Sequence, residues 1–365
     1  MKRYVPVDIF RGLTIAFMII VNTSGDWSNT YSLLLHAEWH GFTPTDLVFP
    51  SFLFAVGNAM AFVASKWSGI PTKDVFLRGL KRASLIFLIG YLLYWIPFVQ
   101  EVDGKWVLQA FSETRIFGVL QRIGFCYFLA LPIVYYLSKK QVLYLSGILL
   151  IGYWIILNLF GDLTLKGNAA LLLDLKILGA NHMYKGDGIP FDPEGLLSSV
   201  PSVVNILGGY LVGLYIKEKG MKFEQLAKLL LVGVGLVFLG YLWNAAFPIN
   251  KKIWTSSYVA LTVGLDIMIL SLIIYAMDFS SKKFKFGIFN TFGKNPLFVY
   301  VLSALIAKTL SMIKVSSQSL YQLTYQNLFE WIGPNNGSLA FALFITTICW
   351  LVAKGLEMRN IYIRI

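Results

Sequence analysis

Two of the three histidines in this 365-residue chain, His36 and His40, stand four residues apart in the stretch HAEWHGFTPTDLVFPSF, residues 36–52. Near pH 7 a neutral imidazole can take the proton of an attacking amine. The same ring can instead attack an acyl carbonyl and carry the acyl group itself. Asp46, ten residues after His36, can hold one ring nitrogen and so select the tautomer, as the third member of a triad does. Asn22, at the end of the preceding apolar run, offers an amide N–H to a developing oxyanion. The plain alternative is that His36 and His40 only satisfy interfacial hydrogen bonds beside Trp39, whose ring suits a membrane surface.

Charges inside apolar runs form the second group of candidates, because a charge in a membrane is costly and usually faces the protein interior. Asp8 and Arg11 are three apart and share a helix face, where they can pair. Arg115 and Arg122, in RIFGVLQRIG, are seven apart and share a face across two turns, with Gln121 alongside. Arg122 falls deep within an apolar segment, and Asp266 in a later segment is a candidate partner. Asp192 and Glu194 in DPEG precede another apolar run, where they can hold an ammonium group or act as the acidic first turn of a helix. Cys126 and Cys349 lie in apolar runs and read as small core residues.

These residues must be positioned by a membrane-embedded scaffold. Hydrophobic residues make up 57% of the chain, charged residues only 14%, and mean hydropathy is +0.66, against about 25% charged residues in soluble domains. Ten apolar stretches can each cover a bilayer core: 5–24, 45–65, 79–98, 116–137, 141–160, 198–216, 225–247, 256–277, 289–310 and 338–357. The expected fold is therefore all-α, a polytopic bundle of about ten spans forming one domain over 1–365. Arg11 and the sequence after Val21 do not resemble a cleaved signal peptide. Residues 318–333 are too polar to span and suit a short interfacial helix.

Charge placement sets the expected orientation. With the N-terminus cytoplasmic, twenty of the 31 Lys and Arg residues fall at inner ends and loops and eight in outer loops. The inner group includes Lys2, Arg3, Lys282, Lys283, Lys285 and Arg364. This positive-inside bias accounts for the net charge of +12 and argues against nucleic acid as a partner. Both termini are then cytoplasmic, and His36, His40, Asp46, Arg115, Asp192 and Glu194 lie toward the outside. Asp8, Arg11 and Lys294 lie toward the inside, where cations suit phosphate.

Several separated blocks carry a resemblance: VDIFRGLTIAFMIIVN, HAEWHGFTPTDLVFPSFLFAVG, RIFGVLQRIG, DPEGLLSSVPSVVNILGGYLVG, NKKIWTSSYVALTVG and FGKNPLFVYVLS. Across nearly its whole length the chain resembles the transmembrane acyltransferase family of heparan-α-glucosaminide N-acetyltransferase and its bacterial relatives. The resemblance implies transfer of an acetyl group from cytoplasmic acetyl-CoA to a glucosamine amine on the far side. It also implies that His36 is the catalytic residue, since the family motif matches there; His40 has no such counterpart. Asp8, Arg11, Gln121, Arg122 and Lys294 are the candidates for acetyl-CoA binding, with no metal. Arg115, Asp192, Glu194 and His40 are the candidates for the acceptor. The implied partners are a small amino sugar and membrane lipid, a homodimer is left open, and the location is the cell membrane, the inner one in a bacterium. The competing expectation is an amino-sugar permease without acyl chemistry, but no inverted repeat or pair of broken helices stands out in the sequence.

Overall fold

The computed structural model describes residues 4–102, 105–281, 284, 286–315 and 317–363, the side chains of 100–102 excepted. Lys2, Arg3, Lys282, Lys283, Lys285 and Arg364 of the charge count lie outside these residues. The described helices are α1 (Val5–Asn22), α2 (Pro44–Ala64), α3 (Thr72–Trp95), α4 (Val119–Tyr136), α5 (Lys139–Leu159), α6 (Ala169–Ile177) and α7 (Leu196–Lys219). They continue as α8 (Phe223–Asn244), α9 (Ser256–Ile274), α10 (Gly287–Lys294), α11 (Pro296–Met312), α12 (Leu320–Leu328) and α13 (Pro334–Met358). Two small antiparallel hairpins complete the secondary structure. One pairs β1 (Val99–Val102) with β2 (Lys105–Leu108), the other β3 (Lys314–Val315) with β4 (Gln318–Ser319).

Local chemistry explains the boundaries. Proline opens α1, α11 and α13, where the missing N–H removes no helical bond. Ser138 and Gln141 form a capping box at the start of α5, and Asn168 and Ser319 cap α6 and α12. Asn295 precedes Pro296 and is driven out of helical geometry, so α10 and α11 meet at a bend of 93°.

The protein is a helical membrane protein. Among the described residues, eight helices are long and apolar enough to cross a bilayer, and the bent α10–α11 pair makes a ninth. The tenth expected span corresponds to α3. It has 24 residues, but Lys73, Asp74, Arg78, Lys81 and Arg82 crowd its first half, so its composition does not qualify it as the others qualify. The expected helix in 318–333 is present as the nine-residue α12.

The chain divides into two compact units. The first comprises the described parts of Met1–Ala37, Phe42–Phe52 and Ile269–Arg364. In it α1 packs against α10, α11 and α13. Gly12 and Gly293 bring two backbones into contact: a Cβ at Gly12 would lie 1.7 Å from the Phe289 carbonyl oxygen, and one at Gly293 1.9 Å from that of Asp8. Helices α12 and α13 pin the loop leaving α1. The Tyr321 hydroxyl donates to Ser24 O at 2.7 Å, and Ser338 Oγ accepts from Asp26 N at 3.1 Å.

The second unit comprises Glu38–Gly41 and Leu53–Met268. Here α4 packs on α3 and α7, while α5 and α6 also pack on α7. Tyr153 and Leu157 of α5 join Met183, Phe191, Phe247 and Ile253 in a buried cluster that draws two long loops onto the helices. The outward faces of α5 and α8 leave Leu143, Ile151, Val232 and Phe238 exposed, which suits an apolar solvent rather than water.

Candidate functional site

In the first unit a short 3-10 turn, Ser32–Leu34, delivers His36 to the start of α2. His36 Nδ1 lies 2.7 Å from Asp46 Oδ1. The Asp46 side chain is 1% exposed and the His36 side chain 45% exposed. In the neutral ring Nδ1–H donates to the carboxylate, which makes Nε2 the nitrogen that carries the basic lone pair.

Asp46 stands in the first turn of α2, where an acid suits the N-terminal dipole. Its second oxygen, Oδ2, accepts from Thr43 N at 2.9 Å, Ala37 N at 3.2 Å and Thr43 Oγ1 at 3.1 Å. The carboxylate therefore cannot swing, and neither can the tautomer it selects. Asn22 ends α1, and its Nδ2 donates to Met18 O at 2.8 Å. One amide hydrogen is spent on its own helix, and the amide carries a second.

His40 belongs to the second unit and has a different setting. Its Nδ1 accepts from Asn250 Nδ2 at 3.3 Å, and burial lowers its pKa below the ordinary value. The neighbouring Trp39 donates from Nε1 to Leu163 O at 2.8 Å and meets Phe191 edge-on. No carboxylate orients His40 among these contacts. His182 donates from Nδ1 to the Thr114 carbonyl at 2.8 Å, again within the second unit.

The acidic pair ahead of α7 is arranged differently from expectation. Arg115 donates from Nε to Asp192 Oδ2 at 3.0 Å, and from Nη2 to Asp192 Oδ1 at 2.7 Å and Glu194 Oε2 at 2.5 Å. Its guanidinium also lies over the rings of Tyr94 and Tyr184, 4.9 and 4.8 Å from their centroids. Burial opposes this charge, but Tyr94, Asp192 and Glu194 outweigh it and hold Arg115 well above its ordinary pKa. Burial likewise acts against a charged Glu194, yet Arg115, Arg122 and Lys251 keep its pKa below the usual carboxylate range. Both carboxylates are thus occupied by an internal cation. The three residues that the sequence put forward for the acceptor, Arg115, Asp192 and Glu194, thus bind one another in the structure.

Arg122 is fully buried, and its partners differ from the one expected. Its Nη2 donates to Gly195 O at 3.1 Å and to Ser198 Oγ, and its guanidinium lies 4.8 Å from the Trp254 ring centroid. Asp266 is not among these partners. Nε and Nη1 make no hydrogen bond to a described residue. Trp254 holds a φ of 51°, rare for a bulky side chain, and donates from Nε1 to Asn205 Oδ1 at 3.0 Å. Gln121 is equally buried, packs onto Gly90, and finds no hydrogen-bond partner for its amide among the described residues.

Asp174 completes this cluster. Its Oδ1 accepts from Leu196 N at 2.9 Å, capping α7, and Gly195 must lack a Cβ because one would lie 1.7 Å from Oδ2. Burial pushes the Asp174 carboxyl up to about 7, against the Leu196 N–H that favours its charged form.

In the first unit Arg11 Nη1 lies 3.4 Å from Asp8 Oδ1, the spacing expected of that pair. Lys294 is ion-paired with Glu357, which also takes Lys354 Nζ at 3.0 Å and the Thr291 hydroxyl at 2.7 Å. Lys294, put forward from the sequence for a phosphate, is thus paired with an acid in the structure. No group of three His, Cys, Asp or Glu side chains among the described residues could hold a metal ion.

Sequence reasoning missed Thr43, Asp174, Trp254 and Glu357. Thr43 was within reach, since Thr-x-x-Asp ahead of an apolar run is a helix-start signature. Nothing in sequence distinguishes Trp254 from the other nine tryptophans.

The family model described as heparan-alpha-glucosaminide N-acetyltransferase, catalytic, matches residues 3–241. The chain is 26% identical over 354 residues to a Mus musculus protein named heparan-alpha-glucosaminide N-acetyltransferase, covering 81% of this chain and 52% of that relative. It is 28% identical over 361 residues to the Homo sapiens protein of the same name, covering 82% and 52%. The chain spans about half the length of these curated relatives.

Proposed function

Because this chain belongs to the heparan-alpha-glucosaminide N-acetyltransferase catalytic family, we propose that it is an integral membrane N-acetyltransferase of the cell membrane. Acetyl-CoA supplies the acetyl group from the cytoplasmic side, and the amine of a glucosamine-type sugar accepts it on the outer side. The observation that carries this reading is the His36–Asp46 pair: a buried carboxylate, hydrogen-bonded through both oxygens, on Nδ1 of a half-exposed ring.

The neutral acceptor amine attacks the thioester carbonyl while His36 Nε2 takes its proton. Asp46 stabilises the resulting imidazolium without itself being protonated. The remaining Asn22 N–H is suited to the negative carbonyl oxygen that forms. Collapse breaks the C–S bond, and the imidazolium returns its proton to the thiolate, giving CoA thiol and the N-acetyl sugar. In a two-step variant Nε2 attacks the thioester carbonyl, the C–S bond breaks and CoA leaves as thiolate, which takes a proton from water; the amine then takes the acetyl group from the ring and releases one proton to water in return. The sidedness rests on the basic residues that crowd one set of loops.

Purified protein given acetyl-CoA and glucosamine should release thiol and N-acetylglucosamine in equal amounts. Glucosamine binding or uptake with no thiol release would favour the permease reading instead.

A further inference from the structure

The Thr43 hydroxyl lies between the two halves of the His36–Asp46 pair. Its single hydrogen is shared between Leu35 O at 2.7 Å, the carbonyl directly before His36, and Asp46 Oδ2 at 3.1 Å, on the oxygen that the ring does not use. Its own N–H adds a second bond to Oδ2 at 2.9 Å. One residue thus ties the backbone that carries the histidine to the carboxylate that orients it. Thr45, two residues on, makes a similar loop bond from its hydroxyl to Leu33 O at 3.1 Å, but its contact is with the loop and not with the carboxylate.

A carboxylate whose charge is shared only with an imidazole favours the protonated ring. Hydrogen bonds to the other oxygen draw charge away and weaken that preference. A histidine that must accept a proton has to be neutral beforehand, so the strength of the carboxylate matters to the rate near neutral pH. Asp46 is the carboxylate hydrogen-bonded to the ring. Two further acids lie on the loop between α1 and α2, Glu38 and Asp26, and Asp26 holds Ser28 N at 2.9 Å and the Asn29 amide at 2.7 Å. It and Glu330 stand near Tyr325 of α12.

We propose that Thr43 is a positioning residue for the His36–Asp46 pair, whose hydroxyl both fixes the His36 backbone and keeps the ring neutral at working pH. The proposal rests on the reading of His36 as the proton-accepting group.

The test is the rate at which diethylpyrocarbonate acylates His36, followed by mass spectrometry across pH, since the reagent attacks only the neutral imidazole and needs no acetyl transfer. In Thr43→Val the pH midpoint of His36 acylation should rise by roughly 0.5 to 1 unit. Thr43→Ser, which keeps the hydroxyl, should match the wild type. Thr45→Val, which loses a loop bond alone, should leave the midpoint in place. Where Thr43→Val does not fold, Thr43→Ala gives the same readout. The acid limb of kcat for acetyl transfer should move with the midpoint in the Thr43 variants. An unmoved midpoint in Thr43→Val, or an equal shift in Thr45→Val, overturns the proposal. A shifted midpoint with no acetyl transfer by the wild type supports the role of Thr43 and removes the enzymatic reading instead.

Discussion

The His36–Asp46 pair and the Arg115–Asp192–Glu194 cluster are both built around buried carboxylates, and they end in opposite states. Around Arg115 every strong acceptor is consumed: one guanidinium satisfies two carboxylates and lies over two aromatic rings. Around Asp46 the carboxylate is equally consumed, but its histidine partner keeps one nitrogen directed away from the pair on a side chain 45% exposed. A cluster closed on itself can only hold parts of the chain together, here the entry to α4 and the turn before α7. A carboxylate that orients a half-exposed imidazole can do chemistry as well. Arg122 lies between these extremes, with Nη2 committed to the α7 start and two nitrogens without a described hydrogen-bond partner.

The sharpest way to break this contrast is His36→Ala. Acetyl transfer should fall by about a thousandfold or more, because both the base and the possible acyl carrier are lost. Folding, read by thermal unfolding in detergent, should change little because the side chain is half exposed. Near-normal turnover in the folded variant would remove His36 from the chemistry.

Arg115→Ala should show the reverse pattern. It strands two buried carboxylates, and breaking a buried pair in this way costs about 3–5 kcal/mol. A large drop in unfolding temperature should accompany a modest change in the Michaelis constants of whatever protein remains folded. A stable Arg115→Ala protein with a weakened acceptor affinity would reopen the acceptor role for this cluster.

A third test uses pH. Asp174 titrates at about 7 in the folded chain, above the ~3.9 of an unfolded aspartate, so the folded state binds this proton more tightly. Its contribution to stability is full below pH 4, declines as pH rises toward 7, and is absent above that. Unfolding temperature should therefore be higher at pH 5 than at pH 8, and Asp174→Asn should reduce that difference. A pH dependence unchanged in Asp174→Asn would mean the carboxyl is already charged at pH 5. The smallest effect is expected for His40→Ala, a severalfold loss at most, since its ring is held by the Asn250 amide and lacks an orienting carboxylate. Equal losses at His36 and His40 would show that the two act jointly.

Much of the scaffold was legible because apolar runs of about 20 residues leave little freedom in a membrane: each expected span coincides with a helix or with the α10–α11 pair. The charged first half of α3 was harder to weigh, since length and composition disagree there. The hairpins at β1–β2 and β3–β4 went unforeseen because strands of two to four residues carry no periodicity to read. Within the candidate site, the pairing of His36 with Asp46 was legible because both lie on one short stretch. Asp8 with Arg11 was legible because helical spacing decides it. Arg115 with Asp192 and Glu194, and Lys294 with Glu357, were not, because those partners are 63 to 79 residues apart and only packing brings them together. Asp266 was a reasonable partner for Arg122 on charge alone, but the carbonyl and hydroxyl at the start of α7 took that place.

The central claim is that His36 passes an acetyl group from a donor on one side of the membrane to an acceptor on the other. Sealed vesicles carrying the protein in one known orientation test it most directly, with labelled acetyl-CoA on one face and glucosamine on the opposite face. Labelled N-acetylglucosamine should form only when acetyl-CoA is on the face carrying the N-terminus, and His36→Ala vesicles should form none. Product formed with both substrates on the same face, or formed equally by the His36→Ala protein, would contradict the account.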